Sequence, residues 1–416
     1  MGKKRLKVLV GCYACDPNFG SEPGAGWHFV RILAKLFDLH VIVEKDEFEA
    51  NLSRYSVEHP DEVKNITFHY IRRKHYPLLR KIWPPSYYWS YDAWQRAAYR
   101  YAVELHKKEH FDLVHQITLA GYRSPGELWK LDIPFIWGPI GGLNQTAWTL
   151  LPSMGLYGMV FYTMRNIINA FQKRWSTAAR VVAPKAHTIF ISDSAECELL
   201  QRLWKRDFVV LSEVGSTRSL QLEHSCEHVD GAPLEVCWAG VHEPRKGLNL
   251  LLQAVSLCKR PVHVHVLGHG PCTQKWKKQA ERLNIDSYVT FYGRIPHDQV
   301  LELMQSCHVF CLTSLSEGGT TNVVVEAMQQ GLPIIALNHC AFASVVDASC
   351  GIKIDIHPGR CIPQRIADAL DELASTEQIR QNLVKGALAR SAELSWDAKL
   401  EVINEVYTRA AAPTEE

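Results

Sequence analysis

The chain has 416 residues, 47% hydrophobic and 22% charged, with a formal net charge of +2. These proportions exclude a disordered chain, a collagen and a coiled coil, and the length predicts two or three domains whose cores need no disulfide staples. Residues 1–215 hold 28 Lys and Arg against 21 Asp and Glu (+7), and residues 216–416 hold 18 against 23 (−5). The basic front half suits an anionic partner or a membrane surface, or else ordinary solvent-facing scatter.

Apolar runs of strand length alternate with helix-length segments from end to end. Residues 6–10 read as a first strand, 24–37 as a helix and 40–43 as a second strand. Strands at 66–71 and 113–117 flank a helix over 92–109, and strands at 133–137, 188–191 and 209–211 complete the half. Residues 217–233 lack apolar periodicity and read as a linker. The alternation then restarts, with strands at 236–239, 262–267, 289–292, 309–312 and 333–336 and helices at 248–258, 273–283, 298–306 and 322–330. This rhythm predicts an α/β fold of two Rossmann-like, doubly wound parallel-sheet domains, residues 1–215 and 216–396, facing a cleft where open α/β sheets bind ligands.

Twelve cysteines are scattered, several inside apolar runs such as Cys237, Cys307 and Cys311, a pattern of reduced, buried thiols in a cytoplasmic protein. Cys12 and Cys15 form a C-x-x-C without a second pair, a weak metal or redox signal. Lys3-Lys4-Arg5 precedes an apolar run too short for a signal peptide, and no stretch reaches the ~18 apolar residues of a membrane span. Two segments mix basic residues with interfacial aromatics. One, 72–94, includes Arg72, Arg73, Arg80, Trp83, Tyr88 and Trp89; the other, 154–175, includes Tyr157, Phe161, Phe171, Lys173, Arg174 and Trp175. They read either as a peripheral contact on the inner face of a membrane or as a packed helix and loop of the first domain. No run resembles a nucleic-acid-binding tract.

Three loops carry chemistry. The first strand leads into Gly20-Ser21-Glu22-Pro23-Gly24-Ala25-Gly26, where backbone approaches a ligand or simply turns tightly. In the second half, Glu243-Pro244-Arg245-Lys246-Gly247 sets two adjacent cations at a strand's carboxyl end, a diphosphate holder or a solvated charge pair. The strongest segment runs from Ser314 to Ala327. A small polar turn, Gly318-Gly319-Thr320-Thr321, opens a helix at Asn322 and forms an anion site, with carboxylates Glu317 and Glu326 flanking it to accept from sugar hydroxyls.

On these residues the second half resembles the family 4 retaining glycosyltransferases, whose fold is GT-B. The resemblance rests on Pro-Arg-Lys-Gly at 244–247, Leu-Gly-His-Gly-Pro at 267–271, Val-Thr-Phe-Tyr-Gly at 289–293, the carboxylate–turn–carboxylate segment, and Ala-Met followed by Gly-Leu-Pro-Ile-Ile-Ala within 327–336. The first half is similar through Gly-Ser-Glu-Pro-Gly at 20–24, Asp-Leu-Val-His at 112–115 and Pro-Phe-Ile-Trp-Gly-Pro-Ile-Gly-Gly at 134–142. Ser395-Trp396-Asp397 and a last helix over 397–416 resemble the family's closing helix, which returns to the first domain.

The resemblance implies roles position by position. Lys246 matches the lysine on the donor diphosphate, Glu326 the carboxylate on the nucleotide ribose, and Glu317 the one on the donor sugar's hydroxyls. The stretch from Gly318 to Thr321 matches the turn whose amides meet sugar and phosphate, and Gly20 the glycine loop near phosphate and acceptor. Three departures stand out. Eight residues separate Glu317 from Glu326, where the family usually has seven. Val241 occupies the place of an arginine, for which Arg245 substitutes. A histidine often found near the Ile140 loop is missing, so His115 stands either as its replacement or as a structural histidine.

The implied activity is retaining transfer of a sugar, as a hexosyltransferase, from a UDP- or GDP-linked donor to a hydroxyl of a glycan or lipid-linked acceptor in cell-surface polysaccharide, lipopolysaccharide or glycolipid synthesis. No Asp-x-Asp is present, so the expectation is no metal and no cofactor beyond the nucleotide-sugar co-substrate. Two competing readings are a catalytically weak nucleotide-sugar-binding partner subunit and a sugar-nucleotide epimerase of the same fold.

Overall fold

The computed structural model describes residues 5–74, 86–192, 197–217, 226–319, 321–357 and 361–412, with the side chains of 86 and 87 left out. The first domain is built on seven strands: β1 (Lys7–Gly11), β2 (Asp38–Glu44), β3 (Ile66–Ile71), β4 (Leu113–Gln116), β5 (Phe135–Ile140), β6 (Thr188–Ile191) and β7 (Val209–Val210). They pair in parallel in the order β3-β2-β1-β4-β5-β6-β7. The second domain has β8 (Leu234–Ala239), β9 (Val262–Leu267), β10 (Val289–Gly293), β11 (Val309–Leu312), β12 (Ile334–Leu337) and β13 (Gly351–Ile354), parallel in the order β10-β9-β8-β11-β12-β13. Central strands such as β11, and β1 beyond Lys7, are apolar because helices cover both faces, and Val8, Leu9, Val10, Val309 and Phe310 are fully buried.

This topology decides where the chemistry sits. Strand order reverses between β1 and β4 and between β8 and β11. The loops leaving those strands therefore diverge and open a crevice at their carboxyl ends. The loop after β1 leads to the helix Ser21–Leu33, that after β8 to residues 240–247, and that after β11 to residues 313–321.

The two halves interlock. The helix Trp396–Ala410 packs Trp396, Leu400, Ile403, Val406 and Tyr407 into the first-domain core. In exchange, the turn Trp148–Met154 inserts Leu150, Leu151 and Met154 into the second-domain core. The two crossing segments pair with each other: Ser216 N–H donates to the Leu394 carbonyl (3.2 Å), and Trp396 N–H to the Ser216 carbonyl (3.1 Å).

Lys399, on the closing helix, is buried beside Trp396 and Gly215. Burial lowers its pKa from 10.5 to about 8, and attraction to Glu213 offsets part of that. Between about pH 8 and 10.5 the unfolded chain binds the extra proton, so stability rises with pH across that window. Below it the native state carries a buried ammonium. Lys399→Met is expected to raise stability at pH 7 by on the order of 1–3 kcal/mol and to flatten the rise above about pH 8. Urea titrations at neutral and alkaline pH check both.

Several elements escape the sequence pattern. The helix Lys45–Glu58 buries only Phe48 and Leu52, so its apolar stripe is sparse. The helix Glu377–Glu393 spends two buried positions on Arg380 and Ser391. Cys12 and Cys15 are free and buried, and the Cys12 thiol donates to the Ala14 carbonyl (3.3 Å). This C-x-x-C is core. The basic-aromatic segment 72–94 divides: Trp94 is buried with its indole N–H on the Ile71 carbonyl (2.8 Å), Arg73 pairs with Glu47 (3.0 Å), and Trp89 is exposed. Arg80 and Trp83 lie outside the described residues.

Candidate functional site

The two cationic and acidic loops of the second domain are stitched together from below. Trp238 on β8 donates its indole N–H to the Thr313 hydroxyl (2.9 Å), which donates to the Lys246 carbonyl (3.0 Å). Leu315 N–H donates to the Arg245 carbonyl (2.6 Å). Gly247 makes this approach possible: its φ is +65°, and a Cβ there would lie 2.3 Å from the Thr313 carbonyl oxygen. Residues 244–246 form a single 3-10 turn that aims both cations the same way.

The result is an ion cluster. Arg245 Nη1 lies 2.6 Å from Glu317 Oε2, Arg245 Nε lies 2.8 Å from Glu243 Oε2, and the Lys246 ammonium pairs with Glu317 Oε1. Glu317 is nearly buried at 7% exposure, and a carboxylate so enclosed needs such partners. The first domain reaches this cluster. Asn144 donates to the Glu317 carbonyl (3.1 Å) and Thr146 to the Ser316 hydroxyl (2.9 Å). The charges of Arg245 and Arg165 act on the Tyr162 phenol, although burial dominates and raises its pKa.

Arg245, Lys246, Glu317, Gly318, Gly319, Thr321 and Asn322 all line one interdomain cleft of about 640 Å³. Thr320 lies outside the described residues. Thr321 precedes the helix Asn322–Gln329 without capping it, and its buried hydroxyl has no hydrogen-bond partner among the described residues. Val324 N–H closes back on the Thr321 carbonyl (3.2 Å), so the donor set that the helix start offers an anion is the Asn322 and Val323 amides with the Thr321 hydroxyl. Gly20 is the residue before the helix Ser21–Leu33, whose Ser21 and Glu22 line the cleft from the other side. Pro139, Gly141 and Gly142 of the 134–142 motif also line it.

Two sequence expectations meet different geometry. His115 is fully buried, outside the cleft lining. Its Nε2 faces the Gly138 carbonyl (2.7 Å) and its Nδ1 faces the Tyr407 hydroxyl (2.6 Å). A carbonyl only accepts, so Nε2 carries the proton and Tyr407 donates to Nδ1. Burial drops its pKa to about 4. His115 is thus a structural pin between the sheet and the closing helix and cannot reach a reacting atom. Glu326 does not line the cleft either; it accepts from His297 Nε2 (3.1 Å), and that hydrogen bond raises the His297 pKa.

The cleft's opposite wall holds three charged residues, Glu22, Glu213 and Arg123. Glu22 accepts from Leu119 N–H (2.6 Å); burial raises its pKa, that hydrogen bond lowers it, and Glu213 raises it further. Glu213 presses against the turn so closely that a Cβ on Gly319 would sit 1.9 Å from its Oε1. Arg123 donates to Asn169 and Gln172 and lies over the Tyr122 ring (4.5 Å). Glu22 stood inside a quoted motif and was legible there. Glu213 and Arg123 belong to segments with no pattern of their own.

Residues 227–390 match the family described as Glycosyl transferases group 1. The phosphatidyl-myo-inositol mannosyltransferase of Mycobacterium tuberculosis is 26% identical over 222 residues, covering 51% of this chain and 58% of that protein. The D-inositol 3-phosphate glycosyltransferase of Corynebacterium diphtheriae is 26% identical over 214 residues, 49% of each chain. The chain thus spans about half the length of the curated relatives it matches. Among solved structures, sucrose-phosphate synthase from Thermosynechococcus elongatus superposes with a TM-score of 0.64 at 14% identity, over 97% of this chain and 99% of that one. Anabaena HepE in complex with UDP and glucose superposes with a TM-score of 0.60 at 15% identity, over 97% and 100%. The protein is therefore a two-domain chain of the GT-B fold whose rear domain matches the group 1 glycosyl transferases.

Proposed function

We propose that the protein is a retaining, metal-independent glycosyltransferase that moves a hexose from a UDP- or GDP-linked donor to a hydroxyl of a glycan or lipid-linked acceptor. The observation that carries this reading is the convergence of Arg245, Lys246, Glu317, Gly318, Gly319 and Thr321 on one interdomain cleft. A donor diphosphate would draw Arg245 and Lys246 partly away from Glu317, freeing that carboxylate to accept from sugar hydroxyls. As the bond to the anomeric carbon breaks, charge grows on the leaving diphosphate. Both cations, the turn amides and the helix N-terminus at Asn322 would stabilise it. A front-side route needs no carboxylate nucleophile, because the leaving phosphate oxygen takes the acceptor proton. Glu22 and Glu213 would hold acceptor hydroxyls, and Arg123 an acceptor phosphate. Glu326, with His297, would meet the nucleotide ribose.

The test is a panel of UDP, GDP and ADP sugars read by thermal shift and product formation. Stabilisation by one nucleotide class and turnover undiminished by EDTA at 25 °C are expected; turnover abolished by EDTA and restored by manganese would refute the metal-free route.

The helix Gly155–Trp175 supports a lipid-linked acceptor, in keeping with a role in cell-surface polysaccharide, lipopolysaccharide or glycolipid synthesis. It is inverted: Asn166, Asn169 and Lys173 are buried, while Tyr157, Phe161, Met164, Ile168, Phe171 and Trp175 are exposed along one stripe. Tyr157 is 82% and Phe171 60% accessible. A stripe of that size beside Arg174 fits the headgroup boundary of an anionic membrane. No helix among the described residues is long and apolar enough to cross a membrane. Wild-type protein is expected to float with anionic vesicles and the Phe161→Asp/Phe171→Asp variant to stay in the soluble fraction; equal behaviour of the two would remove this contact.

A further inference from the structure

The second-domain sheet carries a side-chain cluster at the end of its strands remote from the cleft. Glu235 is the second residue of β8, and His263 and His265 lie on β9, where Glu235 pairs in register with His263. His265, two residues on, projects from the same face of the sheet. His263 Nδ1 is 2.9 Å and His265 Nε2 is 2.6 Å from one and the same oxygen, Glu235 Oε2. One ligand atom from each of the three lies within 4.8 Å of the others.

The outward nitrogens are held as well. His263 Nε2 meets the Thr290 hydroxyl (3.0 Å) and His265 Nδ1 the Tyr292 hydroxyl (2.9 Å), both on β10. Each imidazole is therefore aimed at the carboxylate by a hydroxyl behind it, the outer support that metal-ligating histidines use. A hydroxyl accepts or donates equally well. With no metal, each ring gives its proton to Glu235 and accepts from the hydroxyl. With a metal, the ring proton moves to the outer nitrogen and is donated to the hydroxyl. No proton is gained or lost, and neither ring has to turn over. The Glu235 backbone N–H is separately engaged by His308 Nδ1 (2.9 Å), which fixes the start of the strand.

We propose that Glu235, His263 and His265 form a binding site for Zn²⁺, with water completing the coordination. Imidazole and carboxylate donors suit zinc, and a two-His, one-Glu set with an open position is an established zinc geometry. Zinc holds such ligands at about 2.0–2.2 Å, which sets ligand–ligand separations of roughly 3.3 Å. Small side-chain rotations bring the three donors there. The side chains are 28%, 27% and 11% exposed for Glu235, His263 and His265, so an ion enters from solvent. From Glu235 to the end of β8 the strand spans on the order of 15 Å, which separates this ion from the diphosphate cradle. Its effect is to clamp β8 to β9, and the proposal stands whether or not the chain transfers sugars.

The full chain, stripped with a chelator and desalted, is titrated with ZnCl₂ and then with CoCl₂ under reducing conditions. One zinc per chain and a higher melting temperature with zinc are expected. Both should be lost in His263→Ala/His265→Ala, and binding should be about 10-fold weaker in Tyr292→Phe. Glu235→Gln keeps an acceptor for the histidines, so it should melt like wild type without metal yet fail to gain stability from zinc. If the histidine variants fold poorly, this variant decides the matter. Bound cobalt should show ligand-field bands without a thiolate charge-transfer band. Zinc binding undiminished in Glu235→Gln, a thiolate band, or no stoichiometric zinc in wild type would overturn the proposal.

Discussion

Lys246→Ala is expected to lower kcat by about 100-fold or more, the range found when one preorganised electrostatic group is removed from a reacting centre. Lys246 is only 9% exposed, and its ammonium sits against Glu317 at the cleft wall. The 3-10 turn Pro244–Lys246 and the Thr313 hydroxyl on its carbonyl fix its backbone, so little reorganisation is needed when charge develops. Removing the ammonium leaves Glu317 with Arg245 alone, and a diphosphate then meets one cation instead of two. The loss should fall mainly on kcat, because the charge being stabilised grows toward the transition state. Steady-state kinetics with the donor identified by the panel measure this. A variant that turns over at the wild-type rate would remove the cleft as the reaction site.

The second large effect is on stability. Trp238→Ala should destabilise the protein by about 3–5 kcal/mol, the range for deleting a buried Trp, and lower the melting temperature by roughly 10 °C. Trp238 is 2% exposed and packs edge-on to Trp276, with ring centroids 5.7 Å apart, and against His242 at 5.6 Å. Its indole N–H also starts the chain of bonds through Thr313 to the Lys246 carbonyl. Trp238→Phe keeps most of the apolar area but loses the N–H and part of the ring, about 1–2 kcal/mol of stability. Its activity should fall by more than its stability does, because the cation turn loses an anchor. Calorimetry and kinetics on both variants separate packing from positioning. Wild-type melting of Trp238→Ala would show that the second-domain core does not depend on this ring.

Much of this molecule is written in short-range pattern. The strand over 309–312 matches its apolar run because both faces of a central parallel strand are buried. The cation turn and the glycine-threonine turn are legible for a related reason. Glycine at a positive φ and adjacent cations at a strand's end are local requirements that leave a local trace. Helices with thin apolar stripes, such as Lys45–Glu58, leave none.

The sequence by itself determined two parallel α/β domains, the loops that meet at their carboxyl ends, and the residue types gathered in the rear loops. Tertiary structure alone decided that His115 serves as a pin rather than a reacting group, that Glu326 turns to His297, and that Glu213 closes on Gly319. It alone also gathered Glu235 with His263 and His265. Parallel strands need long crossovers, so side chains that touch across them are separated by tens of residues. No periodicity links such partners, and only the register of the sheet and the docking of the domains bring them into contact.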